Sequence, residues 1–427
     1  MLFAIRFFRL FVKNMKIRSF ACCTVREKFK PALLLLALSL ASSVTYADSE
    51  DGLNFAVGST VRHEDNFFRL PSGTPPPSAG SGNSSSKSDL ISTIYAGIRF
   101  DKQYSLQRLQ LDVTATQYDY RNNDYLNFTA VDYRGAWLWS VSPRLTGILS
   151  ADKTSELTSF ANLQNTTVRN KRTLENQRFM ADWLVDGGWH LTGGVYRQRS
   201  KGDNTELSAF GDYDENTGEL GIRYVAANDN SISAVIRETD GKFIGSSLDP
   251  VNFLDTRYRQ SESQVRGIFR VTGNSLLDGR FGFVDRTYDH FSQRDYSGAV
   301  GELSYKWTPT GKLRFSLTGG RNLLAYQESA SSYYVSEYAN LTPEWLVTEK
   351  TTVRLGLGIT KNDFRGAIAP ATTMRDDKIR TAQIGLNWRP TRTITVDGYL
   401  THEQRSSDLS SFDYKANIAG VAASLLF

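Results

Sequence analysis

Cysteine is almost absent from this chain. Its 427 residues include only two cysteines, Cys22 and Cys23, which stand side by side ahead of an apolar segment that begins at Pro31. If this end of the chain is removed on export, the mature protein has no thiol. That would exclude a disulfide framework, a metal–thiolate centre and a cysteine nucleophile.

Long apolar runs are missing as well. The longest lies between Pro31 and Val44, which is too short to cross a bilayer as a helix, and the mean hydropathy of the chain is negative. These features exclude a bundle of membrane helices. A disordered chain is also excluded, because 40% of the residues are hydrophobic and 12% are aromatic.

The N-terminus has the features of an export signal. Eight basic residues and one acid, Glu27, precede the apolar run, and the small residues Thr45 and Ala47 stand where a signal peptidase reads the chain. We predict that residues 1–47 are a cleaved signal peptide with a long basic leader. Residues 48–427 then form the mature chain.

Two alternatives stay open for this leader: it remains as an uncleaved signal anchor, or Met15 is the true start. Removal of residues 1–47 takes away eight basic residues and one acid, which changes the formal net charge from +5 to −2. The basic character belongs to the leader, so we expect no nucleic-acid partner for the mature chain.

From Leu53 onward, apolar and polar residues alternate with a period of two, and the helical spacing does not appear. About eighteen such segments can be counted. Three of them are predicted over 143–153, 231–239 and 312–323. Short turns such as Asp186–Gly188 alternate with longer polar loops such as 154–172. This asymmetry predicts an all-β fold: a single transmembrane antiparallel up-and-down β-barrel of about 18 strands, with short periplasmic turns and long extracellular loops.

The tryptophans and the last residue favour a membrane barrel over a soluble β-sandwich or solenoid. All seven tryptophans stand within a few residues of a short turn, where an indole ring suits a membrane–water interface. We assign to a periplasmic-side girdle Trp137, Trp139, Trp183, Trp189, Trp307, Trp345 and Trp388. Phe427 ends an alternating strand, as in the signal that the barrel-assembly machinery reads in outer-membrane proteins. The expected location is the bacterial outer membrane, in contact with its lipid.

The inward face of the predicted strands is rich in charge. The arginines assigned to it are Arg99, Arg134, Arg178, Arg223, Arg237, Arg266, Arg270, Arg280, Arg314 and Arg354. Acidic residues such as Asp112, Glu219 and Glu344 share this face. Because an arginine facing lipid at the midplane costs about 2–4 kcal/mol, these residues must line water or pair across strands. We interpret the face as a polar conduit with a mild anion preference. The alternative is a wall of cross-paired charges.

Tyrosines collect near the long-loop ends of the strands. The candidates are Tyr118, Tyr120, Tyr213, Tyr258, Tyr288, Tyr333 and Tyr334. The plainer interpretation is an outer aromatic girdle. The alternative is that rings facing the lumen or the loops stack on sugars. The alternation of the strands does not separate the two.

Catalytic and cofactor-binding patterns are not found. The four histidines, His63, His190, His290 and His402, are far apart in the sequence and match no metal spacing. No serine or carboxylate motif accompanies them, so a barrel hydrolase acting on lipid or glycan is only a third hypothesis. We expect no enzymatic activity and no cofactor.

One domain accounts for the mature chain, with a low-complexity segment at 70–88 that is rich in proline, glycine and serine. That segment is either a mobile outer loop or a piece of chain that folds into the lumen as a constriction.

The first predicted strand, from Leu53, runs into the sequence Asp65-Asn66-Phe67-Phe68-Arg69-Leu70. Together with the Trp-x-Pro turns at Trp307 and Trp388 and the terminal phenylalanine, this opening resembles the family named putative β-barrel porins. Within that family it is most similar to the EpsL-type outer-membrane proteins of exopolysaccharide biosynthesis operons. The resemblance implies a role in exopolysaccharide biosynthesis or export across the outer membrane, with polysaccharide and other export components as partners. It brings no catalytic residue. The main alternative is a general diffusion porin for small solutes.

Overall fold

The computed structural model describes residues 52–76, 86–163, 167–207, 211–328, 331–365 and 375–427. These residues form one sheet of 18 antiparallel strands, in which each strand pairs with its neighbours in the sequence. β1 pairs with β2 on one side and with β18 on the other, so the sheet closes on itself. The predicted fold class, an up-and-down barrel of 18 strands, is confirmed.

The strands are β1 Leu53–Glu64, β2 Asp89–Tyr104, β3 Gln107–Tyr120, β4 Phe128–Ser142, β5 Leu145–Leu157, β6 Lys171–Asp186, β7 Trp189–Gly202, β8 Tyr213–Val225, β9 Ser231–Phe243, β10 Arg257–Thr272, β11 Ser275–Tyr288, β12 Tyr296–Thr310, β13 Leu313–Glu328, β14 Ser331–Thr348, β15 Thr351–Arg365, β16 Asp376–Trp388, β17 Ile394–Ser407 and β18 Tyr414–Leu426. Within the described ranges, no helix is long and apolar enough to cross a bilayer. The predicted signal peptide, residues 1–47, lies outside the described residues and stays a prediction, and so does its cleavage site.

Several strands extend further on the loop side than the sequence predicts. β5, β9 and β13 end at Leu157, Phe243 and Glu328, where the alternation predicts ends at residues 153, 239 and 323. Backbone pairing continues above the membrane, but side chains there no longer need to alternate between lipid and lumen. The sequence pattern therefore fades before the strand ends.

Side chains alternate between the outer and inner surfaces of the barrel. Val195, Leu220 and Phe281 point outward and are 60%, 65% and 68% exposed, whereas their inward neighbour Glu219 is 5% exposed. An apolar outer face with a polar interior is the arrangement of an integral outer-membrane barrel.

Compact packing inside the barrel is found at the loop end. There the first extracellular loops, L1 (65–88), L2 (121–127) and L3 (158–170), meet over the ends of β2, β3 and β4. Their buried side chains form a mouth cluster of Phe67, Phe68, Leu70, Ile91, Tyr120, Leu126, Phe128, Ala130 and Phe160. The low-complexity segment 70–88 thus begins with a residue of this cluster, Leu70. The structure describes residues 70–76 and 86–88 of the segment, and residues 77–85 lie outside the described residues.

The barrel wall is interrupted between β12 and β13. These two strands pair only up to Gly301 and Arg321. Above that level the β13–β14 hairpin leaves the wall and lies on the lumen side of β12. Tyr333 and Val335 therefore pack with Tyr296 on the inner face, and they are only 7% and 2% exposed. The alternation of β14 would place both residues toward lipid. They are buried because the hairpin has moved inside the barrel.

Candidate functional site: the arginine-lined lumen

The ten arginines predicted to line the lumen all stand on the inward alternation of their strands. Four of them pair with one acid each: Arg99 with Asp112 at 2.9 Å, Arg280 with Glu262 at 3.6 Å, Arg354 with Glu344 at 2.6 Å, and Arg223 with Asp182. Arg237 and Arg266 belong to a larger network. Arg134, Arg178, Arg270 and Arg314 form no ion pair within the described ranges.

Two buried glutamates organise the arginines of β8 to β11. Glu219, with a side chain 3% exposed, accepts hydrogen bonds from Nη1 and Nη2 of Arg266 at 3.0 and 2.7 Å and forms an ion pair with Nε of Arg237 at 3.3 Å. Glu262, 6% exposed, lies 3.4 Å from Arg237 and 3.6 Å from Arg280. Three guanidinium groups thus share two carboxylates, so this part of the wall keeps one excess positive charge.

Arg178 stands in the same region without a carboxylate. Its guanidinium lies over the ring of Tyr196, 5.4 Å from the centroid, and Arg237 lies over the same ring at 5.8 Å. The hydroxyl of Tyr196 donates to Glu219 at 3.4 Å. The tyrosine therefore holds two cations close together with its ring face while its hydroxyl is fixed by the glutamate.

A cavity of about 1130 Å³ lies against this part of the lumen wall. It is bounded by inner-face residues of β5 to β12 and by the inward-folded end of the β13–β14 hairpin. The charged inner-face residues that line it are Arg172, Arg178, Arg237, Arg280 and Arg286 with Asp152, Glu156, Glu215 and Glu262. The lining holds five cations and four anions, and two of these cations, Arg172 and Arg237, also pair with Asp212 and Glu219 in the wall behind it.

A second charged group lies at the periplasmic end of the lumen. His190 Nδ1 lies 2.5 Å from Asp182 Oδ1, and Arg223 contacts the same carboxylate. Arg223 Nη2 also lies 3.4 Å from His190 Nδ1. His190 thus belongs to an ion-paired wall, where the sequence had suggested only an isolated histidine.

The candidate tyrosines lie inside the barrel and not in an outer girdle. Tyr118, Tyr120, Tyr213, Tyr258 and Tyr288 stand at inward positions. Tyr120, Tyr258, Tyr288 and Tyr333 are each less than 9% exposed. They are buried because their rings pack on aromatic neighbours, as in the Tyr258–Tyr288 contact at 5.8 Å. Tyr118 stacks on Phe128 at 4.5 Å, and only Tyr213 and Tyr334 among the seven candidates line the described cavity.

The seven tryptophans lie at the turn end of the barrel on its outer face. Six of them are 43% to 51% exposed, and Trp139 stacks on Phe179 at 5.8 Å. Trp137 donates from its indole nitrogen to Gln107 at 2.8 Å. Phe427 exchanges two backbone hydrogen bonds with Phe55, at 2.6 and 2.9 Å, and their rings stack 6.2 Å apart.

Loop L3 crosses the mouth of the barrel. Asn162 Oδ1 accepts hydrogen bonds from Arg375 at 2.8 Å and from Arg405 at 2.9 Å, and Arg405 also donates to the carbonyl of Ala161. Arg375, Arg405 and Asp377 are 6%, 2% and 1% exposed. We call these contacts of Asn162 and Ala161 the L3 latch. Sequence reasoning missed it, because none of its residues stands in a periodic or recognisable pattern.

The Asp65–Leu70 segment, which carries the family resemblance, forms a tight turn beside the latch. Asn66 donates to the carbonyl of Leu70 at 2.8 Å, and its side-chain oxygen accepts from the Leu70 N–H at 2.9 Å. Arg69 pairs with Glu64 at 2.9 Å and with Glu403 at 3.3 Å. Burial alone would lower the pKa of Arg69, but the two glutamates outweigh it and raise the pKa. The segment thus has a structural role at the mouth.

No group of three or more histidine, cysteine or acidic side chains that would hold a metal ion lies in the part of the chain that the structure describes. The described lining of the lumen presents cations, carboxylates, amides and aromatic rings.

No curated protein matches the chain. Among solved structures, it is similar to Pseudomonas aeruginosa OpdK with vanillate, at 11% identity and a TM-score of 0.48, covering 88% of this chain and 99% of that chain. It is similar to OccK2 (OpdF) of the same organism in complex with glucuronate, at 12% identity and a TM-score of 0.48, covering 88% and 98%. For OprD the identity is 9% and the TM-score 0.46, with 88% and 94% covered. By sequence, residues 268–426, from within β10 to the end of β18, match the family model described as Putative beta-barrel porin 2.

Proposed function

We propose that this protein is a passive diffusion channel of the outer membrane for small solutes, with a preference for anions. The observation that carries the proposal is the lumenal cavity of about 1130 Å³ and its arginine-rich wall. Small-molecule sites have volumes of about 300–1,000 Å³, so the cavity is on the scale of a single small solute.

Two features of the barrel mouth favour the passage of small solutes over that of polymers. The L3 latch ties L3 to β17, which lies six strands away from β5 around the ring. The mouth cluster fills the space beneath L1, L2 and L3 with buried apolar side chains. Both features narrow the entrance, and a polymer chain would need them to open.

The charges of the lumen wall favour the passage of anions over that of cations. Glu219 and Glu262 are already neutralised by Arg237, Arg266 and Arg280. Arg178 lines the cavity, contacts the sulfur of Met180 and the ring of Tyr196, and has no carboxylate partner among the described residues. A passing anion would meet an unneutralised guanidinium in a polar, partly dehydrated wall.

Single-channel recording in planar bilayers tests this proposal. With a potassium chloride gradient, we expect the reversal potential of a chloride-selective pore. Arg178→Gln should move that potential toward the potassium value, because it removes a cation without leaving an acid unpaired. Lys153→Gln, on the outer face of β5, removes the same charge and should leave it unchanged. A chain that gives no conductance, or a reversal potential on the potassium side, would contradict the proposal.

A second candidate function is a role in exopolysaccharide export, as the sequence resemblance implies. The observation that favours it is that Tyr213 and Tyr334 line the cavity, because a sugar can stack on an aromatic ring. Added polysaccharide should then block the current from the periplasmic side, and Tyr213→Ala should relieve the block. Deletion of the gene separates the two functions: lost surface polysaccharide favours export, and slowed small-solute uptake with normal polysaccharide favours diffusion.

Two further expectations belong to this proposal. The channel would reach the outer membrane through the signal peptide at residues 1–47, and the barrel-assembly machinery would recognise the strand that ends at Phe427. We expect the protein to act without enzymatic activity or a cofactor.

A further inference from the structure

The upper part of the β13–β14 hairpin lies inside the barrel, on the lumen side of β12. We call residues 322–324 of β13 and 333–336 of β14 the inner arm. One face of the arm packs on the inner face of β11 and β12. The side chains of this contact are Leu323, Tyr333, Val335, Val284, Tyr296 and Val300. The rings of Tyr296 and Tyr333 pack edge to face with their centroids 5.0 Å apart. The arm is therefore held against the wall by apolar contact.

Within the residues that the structure describes, backbone pairing does not hold the arm to β12. The β12–β13 ladder ends at Arg321, so residues 296–300 of β12 pair with β11 alone. The Nε of Arg321 instead donates to the carbonyl of Ala299 at 3.2 Å. Directly before Arg321 stand Gly319 and Gly320, and glycine in a strand permits a sharp bend. The arm can therefore turn about these glycines without breaking a backbone ladder with β12.

A second position for the arm is in line with the wall itself. If the β12–β13 register continued upward, Ala299 would stand opposite Leu323. The arm would then gain backbone hydrogen bonds with β12 and lose its apolar contact with the inner face of β11 and β12. The present position has the reverse balance. Two packed arrangements of one segment, each with contacts that the other lacks, are the basis of a switch.

The opposite face of the arm is linked to the L3 latch by a series of ring contacts. Tyr334 stacks on Phe364 of β15, with the ring centroids 5.0 Å apart. The guanidinium of Arg375 lies over the Phe364 ring, 4.4 Å from its centroid. Arg375 in turn donates to Asn162 of L3 at 2.8 Å. A continuous line of contacts therefore runs from L3 through the arm to the inner face of β11 and β12.

The arm and L3 bound the same cavity. Asn162 and Leu163 of L3 line it, and so do Asn322, Leu324 and Tyr334 of the arm. We propose that the inner arm and L3 form one gate across the lumen, which is closed in this structure and opens when the arm moves into line with β12. Facing sheets pack about 10 Å apart, so this movement would add about that width to the lumen. The gate rests on the proposed function, because it presupposes that solutes pass through the lumen.

Disulfide trapping tests the movement. The only cysteines of the chain, Cys22 and Cys23, lie in the predicted signal peptide, so Ala299→Cys/Leu323→Cys gives the mature barrel two thiols. In the closed position the two side chains cannot meet, because Ala299 stands beside the outward Phe283 and Leu323 packs inside the barrel. In the open position their Cα atoms would lie about 4.5–5.5 Å apart, which a disulfide accepts. We expect an oxidant to form the bond and to raise single-channel conductance severalfold, and a reductant to reverse both changes.

The matched control pair lies lower on the same two strands. Tyr305 and Leu317 are already opposite each other in the ladder, so Tyr305→Cys/Leu317→Cys should oxidise in the closed position and leave conductance unchanged. Val335→Ala, which removes part of the apolar contact, should speed the trapping bond about tenfold. Val421→Ala, on the exposed outer face of β18, should not change its rate. Heat-modifiable migration in gels verifies the fold of every variant.

Two further variants test whether L3 and the arm move together. Asn162→Ala loosens L3 at a site that the arm does not touch directly, and it should also speed the trapping bond about tenfold. Phe364→Leu removes the ring between Tyr334 and Arg375 while keeping an apolar side chain. In a Phe364→Leu background, Asn162→Ala should lose its effect on the rate, because the line of contacts is interrupted.

Three results would overturn the gate. The trapping bond could fail to form in every background while the control pair oxidises fully. The bond could form while the current stays as large as before oxidation. Asn162→Ala could leave the rate of bond formation unchanged, so that L3 and the arm would be independent. A barrel that forms the bond but carries no current in either position would instead refute the diffusion channel, with the movement of the arm demonstrated.

Discussion

The guanidinium of Arg405 donates a hydrogen bond to the side-chain oxygen of Asn162 at 2.9 Å, although the two residues are 243 positions apart in the chain. Arg375 donates to the same oxygen at 2.8 Å. One amide oxygen of L3 therefore holds two arginines from the β16–β17 side of the mouth. We expect access to the lumen from outside to depend on how firmly this oxygen keeps L3 in place.

Replacement of Asn162 by alanine should loosen L3. The change leaves two buried guanidinium donors without their shared acceptor, which costs about 1–3 kcal/mol. We expect L3 to leave the mouth about ten to a hundred times more often, seen as larger mean single-channel conductance with more current noise. The control is Asn252→Ala, because the Asn252 side chain donates to Asp249 within its own loop. Unchanged current in Asn162→Ala would show that L3 does not limit passage.

Replacement of Phe160 by alanine should open the mouth cluster without unfolding the barrel. The Phe160 ring lies 4.8 Å from the ring of Phe68 and 5.6 Å from that of Phe67, and loss of a buried phenylalanine costs about 3–5 kcal/mol. We expect L1 and L3 to become sensitive to protease from outside, while heat-modifiable migration of the barrel stays as in the wild type. A parallel loss of both properties would place Phe160 in the global fold.

Variants of Phe427 and Phe55 separate packing from recognition. If the Phe427 ring acts only by stacking on Phe55, Phe427→Ala and Phe55→Ala should lower thermal stability by similar amounts, about 1 kcal/mol beyond the lost burial. If the assembly machinery reads the terminal ring, Phe427→Ala alone should lower the amount of folded barrel in the outer membrane. Equal yields for the two variants would argue against recognition.

Asp255 should make the contact between L5 (244–256) and L6 (289–295) sensitive to acid. Its buried carboxylate accepts from the N–H of His290 at 2.6 Å and from that of Thr256 at 2.7 Å. Burial alone would raise the pKa of Asp255, but these hydrogen bonds outweigh it and lower the pKa. The stabilising contribution is therefore complete above the unfolded pKa of about 3.9 and is lost as the pH falls through the lower folded pKa.

Hydrogen exchange of the L5 and L6 amides checks this prediction. Asp255→Asn should speed their exchange at pH 7 by about tenfold, since it removes a charged acceptor from several buried N–H groups. The variant should also lose the acceleration that the wild type shows below about pH 4. Asp289→Asn, an exposed carboxylate in L6, is the control and should exchange like the wild type. If the wild type showed no acceleration in acid, the role of Asp255 would be refuted.

The strand count and the inward face of arginines could be predicted from the sequence, because both depend on a period of two within single strands. Arg178 and Arg237 follow from the alternation of their own neighbours, without knowledge of the rest of the chain. The Trp-rich turn end is predictable for the same reason. Such local patterns are imposed by lipid on one side and water on the other.

Contacts between loops could not be predicted in this way. Nothing around Asn162 or Arg405 indicates that they meet, because Asn162 lies in a loop and Arg405 lies at the loop end of β17, where the alternation rule no longer applies. Tyr333 and Val335 are buried although the alternation along β14 places them on the same face as the exposed Trp345. Their strand leaves the wall at Gly301 and Arg321, and no sequence signal marks that point.

The β1–β18 pairing has a consequence for how the molecule is made. Its register joins Glu64 to Ile418 and Ala56 to Leu426, so the ring cannot close until the last residues have been synthesised. Every other pairing forms between strands that follow each other directly. Until closure, β1 and β18 are unpaired edges, which are templates for pairing with other chains. The β1–β18 pairing therefore removes the last two open edges of the sheet at once.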